Sequence, residues 1–138
     1  MPPRPLKISS AAATDPIVTI LGAPGAGKSA LALEYARRVP ERAVFVDLEH
    51  AVASGVVARV ARALEIVAYS SGQLAAALRD RTLHEPLLIV LDGCDDALDG
   101  AVAFVEAVHG VEGLRTIVTS RTPLRLRGER VFHIVEQS

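Results

Sequence analysis

One stretch, Gly22-Ala23-Pro24-Gly25-Ala26-Gly27-Lys28-Ser29, constrains this chain more than any other. It has the spacing G-x-x-x-x-G-K-[ST], in which glycine-permitted turns bring several backbone N–H groups onto one phosphate. A helix starting near Lys28 adds its positive end. In that setting the Lys28 ammonium reaches the β- and γ-phosphates and the Ser29 hydroxyl holds Mg²⁺. The pattern is short, so its surroundings decide its meaning: it needs a strand before it and a helix after it. Thr14-Asp15-Pro16 leads into Ile17-Val18-Thr19-Ile20-Leu21, which reads as a buried strand, and Leu31, Tyr35 and Val39 fall at helical spacing behind the loop. A plain flexible turn would leave the Lys-Ser pair at the helix start unexplained. The expected nucleotide contacts are therefore Gly22, Ala23, Pro24, Gly25, Ala26, Gly27, Lys28, Ser29 and Ala30.

The same alternation continues along the chain. After the first helix, about 28–38 and stopped at Pro40, comes the strand Ala43-Val44-Phe45-Val46-Asp47. A helix is expected over about 51–68, with Val52, Val56, Val60 and Leu64 four apart and Val57 and Val67 widening the face. Ser70 and Gln73 have capping-box spacing and open a further helix to about Leu83, with Leu74, Ala77 and Leu78 inward. Leu87-Leu88-Ile89-Val90-Leu91 is a third strand running into Asp92. A helix over about 97–109 follows, with Leu98, Val102, Val105 and Val108 on one face, then strands at Arg115–Thr119 and Val131–Ile134. Strands alternating with helices predict βαβ units: an α/β fold with a parallel sheet and helices on both faces. Ligands of such sheets lie beyond the C-terminal strand ends, where the Gly-rich loop, Asp47, Asp92 and Thr119-Ser120-Arg121 all fall.

Composition narrows the function. The 138 residues make one domain, and half of them are apolar with only 4% aromatic, so Val, Leu, Ile and Ala build the core. A net charge of −1 gives no bulk attraction to nucleic acid, and no helix is strongly basic, so direct nucleic-acid binding is not expected. The single cysteine excludes an internal disulfide framework and fits a cytoplasmic location. No apolar run approaches the ~18 residues of a membrane span. Residues 1–14, with three prolines near the start and no apolar stretch after Lys7, read as a flexible lead-in to a domain at 15–138 rather than a secretory signal.

Asp92 is the second strong candidate. A carboxylate at the end of an apolar strand, downstream of a phosphate loop, can anchor the shell around Mg²⁺, so Ser29 and Asp92 are the expected metal side. A second carboxylate directly after it could orient a water for attack on a bound phosphate. Here the next residue is Gly93, which leaves Asp95 or Asp96 for that role, or one of them as a helix cap. Arg121, just past a strand end, could contact a γ-phosphate. Arg125, Arg127 and Arg130 read as a solvated run. Cys94 reads as a packed, inert thiol, and the four histidines lack the spacing of a zinc site.

With these residues in view, the chain resembles the nucleotide-binding domain of the STAND class of P-loop NTPases, the NB-ARC-like ATPases of bacterial multidomain transcriptional regulators and signalling proteins. Leu21–Ala32 resembles their Walker A stretch and Val44–Leu48 their second strand. Leu88-Ile89-Val90-Leu91-Asp92-Gly93-Cys94-Asp95 resembles their Walker B stretch. Thr119-Ser120-Arg121-Thr122-Pro123-Leu124, with Gly128-Glu129-Arg130-Val131-Phe132, resembles a distinctive Thr-Ser-Arg-x-Pro-Leu…Gly-Glu-x-Val segment. The resemblance covers about residues 17–134. It implies a three-layer fold, a five-stranded parallel core in the order 5-1-4-3-2, an ATP/ADP switch, and a γ-phosphate-sensing role for Arg121. Gly93 departs from the family's Asp or Asn, and no Gly-Arg pair precedes the first strand. The family's C-terminal helical and winged-helix domains are not expected within these residues, which makes self-assembly or a partner protein the expected source of a lid.

The expected function is thus a regulatory ATP- or ADP-binding module with Mg²⁺, a signalling or transcription-regulation switch with slow or no hydrolysis. Lys28, Asp92, Asp95 and Arg121 are its candidate catalytic residues. Two alternatives stand beside it: a small-molecule P-loop kinase, and a non-enzymatic interaction domain with a vestigial loop.

Overall fold

The computed structural model describes residues 16–134. The lead-in expected over 1–14 lies outside them. Nine main elements follow in order: β1 (Ile17–Leu21), α1 (Lys28–Arg38), β2 (Arg42–Asp47), α2 (Val56–Leu64), α3 (Ser71–Thr82), β3 (Leu87–Asp92), α4 (Leu98–Val108), β4 (Leu114–Ser120) and β5 (Glu129–His133). All the strand pairings are parallel, in the order β2-β3-β4-β1-β5. Read from the other edge, this is the 5-1-4-3-2 order that the resemblance implied.

The side-chain alternation of β3 builds both halves of the core. Leu87, Ile89 and Leu91 pack with α2, α3 and α4 on one face, while Leu88 and Val90 pack under Leu31, Ala32, Tyr35 and Ala36 of α1 on the other. A strand covered on both sides reads as an unbroken apolar run, and that is what residues 87–91 are. Below α1, Arg115 of β4 bonds Glu41 at 2.5 Å and the Tyr35 hydroxyl at 2.8 Å, fixing the end of the sheet remote from the Gly-rich loop.

The helix expected over 51–68 is shorter. A 3₁₀ turn occupies Ala53–Gly55 and α2 begins at Val56. Glu65 adopts a left-handed conformation (φ 58°), its N–H bonding the Arg62 carbonyl while the Ile66 N–H bonds the Ala61 carbonyl, and this closes the helix. The guanidinium of Arg81 takes the Leu64 carbonyl at 2.7 Å, which satisfies another helix-end acceptor. Val52 and Val67, expected on the inner face, therefore lie outside the helix and are exposed. In α3 the inward residues are Leu74, Ala75 and Leu78, with Ala77 at the margin. Half of the expected capping box forms: the N-cap Ser70 Oγ accepts the Gln73 N–H at 3.1 Å, while Gln73 Oε1 accepts the N–H of Tyr69, one residue before the cap, at 2.6 Å. The buried side of α4 is Ala101, Phe104, Val105 and Val108, whereas Leu98 and Val102 pack at its edge. Gly100 lets α4 lie directly on the turn at Ala53: a Cβ there would meet the Ala53 carbonyl oxygen at 2.2 Å.

Candidate functional site

The pairing of β1 with β4, and of β4 with β3, sets three strand ends side by side. From them rise the Gly-rich loop, Asp92 with Gly93, and Thr119 with Arg121. They line a cleft of about 590 Å³ together with Glu49, His50, Asp95 and Asp96. Gly25 (φ 81°) and Gly27 (φ 96°) hold the loop in the left-handed region, with open space where their side chains would be. The loop closes on itself through Ala26 N–H to Ala23 O (3.0 Å) and is tied to the sheet by Gly22 N–H to Ser120 O (3.3 Å). At the start of α1 the first-turn amides have no intrahelical acceptor and face the loop opening. The cradle and its donors fit a polyphosphate.

Lys28 bends back over this loop, its ammonium donating to Gly22 O at 2.6 Å and Ala23 O at 3.1 Å. It is therefore held within the cradle and not swung into solvent. The Ser29 hydroxyl donates to the Asp92 carboxylate at 2.8 and 2.9 Å. Thr119 donates to the same carboxylate at 2.6 Å and accepts the Gly93 N–H at 2.8 Å. A serine and an aspartate meeting edge to edge supply the hard oxygen donors that suit Mg²⁺, with Thr119 fixing the carboxylate's orientation. Sequence reasoning placed Thr119 at the strand end without giving it a role. Its signal is a hydroxyl at the end of the strand next to Asp92.

Across the cleft, Asp95 holds Arg121. Its Oδ1 accepts the Arg121 N–H at 2.7 Å and lies 3.6 Å from the guanidinium Nε. Neither Asp95 nor Asp96 caps α4, whose N-cap position is Ala97 with no side-chain bond. Asp47 is turned to its own loop, accepting the Glu49 N–H at 2.9 Å. The segment 121–128 is pinned by Glu129, which accepts from Leu124 N–H (2.9 Å), Arg125 N–H (2.8 Å) and the buried Thr19 hydroxyl. The Gly-Glu pair at the start of β5 is thus a structural clasp that sets the loop carrying Arg121.

Cys94 is fully buried. Burial first, then the charges of Asp95 and Asp92, push its thiol up from the ordinary 9.0 to about 12, so it stays protonated and inert. Among the described residues, no helix is long and apolar enough to cross a membrane.

The sequence matches the family described as "AAA domain" over residues 12–126. The chain belongs to this family of P-loop ATPase domains. Proteins of Mycobacterium bovis and Mycobacterium tuberculosis, named as HTH-type transcriptional regulators, are 32% identical over 126 residues; the match covers 88% of this chain and 14% of their own length. The chain thus spans about one seventh of these relatives. Among solved structures, a STAND-class signal-transduction ATPase with a tetratricopeptide-repeat sensor from Pyrococcus horikoshii superposes with a TM-score of 0.63 at 17% identity, covering 96% of this chain and 24% of that one. A Walker-type ATPase of Pyrococcus abyssi superposes with a TM-score of 0.58 at 14% identity, covering 88% of this chain and 49% of that one. These likenesses support the P-loop NTPase fold.

Proposed function

We propose that this AAA domain is a regulatory ATP/ADP-binding module of the STAND, NB-ARC-like kind, which reports the bound nucleotide to other parts of a signalling or transcription-regulating assembly. The observation that carries this reading is one cleft with the Gly-rich loop and the Ser29–Asp92–Thr119 cluster on one side and the Asp95-tethered Arg121 on the other. The loop amides and Lys28 hold the phosphate chain, and Ser29 and Asp92 would hold Mg²⁺, which supplies charge neutralisation at the phosphates. With ADP, the Arg121 guanidinium stays at Asp95. A γ-phosphate offers a doubly charged alternative on which a guanidinium bonds in bidentate fashion. Exchange of ADP for ATP therefore draws Arg121 from one anion to another and moves the 121–128 loop. A lid supplied by a neighbouring domain, a second copy or a partner protein would read that movement.

The test is Arg121→Ala, with ATP and ADP affinities measured by isothermal calorimetry. A charge-assisted hydrogen bond contributes about 1.5–3 kcal/mol, discounted here because Arg121 is more than half exposed. ATP binding should weaken about tenfold while ADP binding stays within about twofold. Equal loss for both nucleotides would refute the sensing role.

A further inference from the structure

Within the cleft, Asp92 is engaged by Ser29 and Thr119, and Asp95 by Arg121. Among the described residues, the Glu49 carboxylate takes no hydrogen bond or ion pair, yet the rest of its loop is tightly placed. Leu48 N–H bonds the Asp92 carbonyl at 2.8 Å, which ties the end of β2 to the end of β3. The Glu49 N–H bonds Asp47, and the Arg59 guanidinium takes the Asp47 and Glu49 carbonyls at 2.9 and 3.3 Å. The left-handed turn at His50 (φ 61°) then carries the chain away. As a result the Glu49 side chain crosses over Gly93. A Cβ on Gly93 would meet Glu49 Cγ at 2.8 Å, and Gly93 itself is left-handed at φ 76°. The space directly after the strand-end aspartate is filled by Glu49, two residues past the end of β2.

The geometry points to Glu49 as the carboxylate that orients and deprotonates the attacking water in ATP hydrolysis, with Gly93 making the room. This rests on the nucleotide-binding reading above. The water oxygen forms a bond to the γ-phosphorus, and the bond from that phosphorus to the β–γ bridging oxygen breaks. Its electron pair leaves on ADP. The water proton passes to Glu49 and from there to solvent, so that ATP and water become ADP, inorganic phosphate and a proton. Asp95 keeps its role as the tether of Arg121.

The experiment uses the full chain, wild type and Glu49→Gln, with MgATP. Three quantities are read: equilibrium affinity for a fluorescent ATP analogue, phosphate release in a single turnover, and the ATP-to-ADP ratio on protein recovered after rapid desalting. Glu49 is exposed and its carboxylate takes no hydrogen bond or ion pair among the described residues, so the variant should fold as the wild type does. The expected result is affinity within about twofold, turnover down by about 100-fold or more, and bound nucleotide recovered as ATP rather than ADP. Turnover by Glu49→Gln within about threefold of wild type would overturn the assignment. So would loss of turnover in Asp96→Asn with Glu49→Gln still active, or a wild type that binds ATP and never cleaves it. A wild type that binds no nucleotide at all would instead remove the binding reading, and this assignment with it.

Discussion

Replacing Gly100 with alanine sets two well-known effects against each other. In a helix interior the change ordinarily stabilises by up to ~1 kcal/mol, because alanine loses less chain entropy and propagates a helix better. In α4 the new methyl would sit 2.2 Å from the Ala53 carbonyl oxygen and 2.8 Å from Val56 Cγ2, whereas ordinary contact begins at 3.4 Å. The nearest obstacle is backbone, held in the 3₁₀ turn before α2, so no side-chain rotation relieves it. Either α4 or the turn must retreat by about 1 Å, and overpacking of this kind costs about 1–3 kcal/mol. With the obstacle rigid, the cost should fall in the upper part of that range, leaving a net loss of about 1–2 kcal/mol and a fall in Tm of several degrees. Gly72→Ala is the matched control. Its added methyl meets only Ser70 Oγ, at 3.9 Å, so there the entropic gain should stand alone. Urea unfolding followed by far-ultraviolet circular dichroism measures both. A Gly100→Ala midpoint equal to or above wild type would refute the close seating of α4 on the Ala53 turn.

Two further outcomes follow from the buried groups. Folding holds the Cys94 thiol protonated, so the unfolded chain binds fewer protons once the pH exceeds 9.0. Stability is therefore lost on going from 9.0 towards about 12, at up to ~1.4 kcal/mol per pH unit, and Cys94→Ala should flatten that slope in denaturant titrations. Glu129→Gln puts an amide N–H against the donors of Leu124, Arg125 or Thr19. It should cost about 1–3 kcal/mol and raise amide exchange across 121–128, and exchange unchanged in that segment would contradict the clasp.

The central strands β1 and β3 were legible because burial on both faces leaves a near-continuous apolar run. The five apolar residues before Asp92 could hardly be anything else, and the Gly-rich loop fixed where β1 must lie relative to the site. The α2 boundaries were not legible, because Val52 and Val67 continue an apolar period that the chain abandons for local reasons. A 3₁₀ turn forms at one end and a left-handed Glu65 at the other, and neither residue type announces its conformation. The site divided in the same way. Gly22–Ser29 and Asp92 belong to one local pattern each. Thr119 and Glu49 enter only because the sheet order puts β4 and β2 on either side of β3. A side chain that matters through its neighbour strand leaves little trace in the linear sequence. Gly93 pointed in the sequence only to Asp95 or Asp96, and its closeness to Glu49 appears only in the fold.

The most direct measurement compares MgATP and MgADP affinity for the wild-type chain and Lys28→Ala, by titration with a fluorescent nucleotide and with chelator as the metal-free control. If the loop is a phosphate cradle, losing the ammonium should weaken both nucleotides by at least about tenfold, and chelation should weaken ATP further. Lys28→Ala binding within about twofold of wild type would contradict the cradle, and with it the assignment of this cleft to a nucleotide.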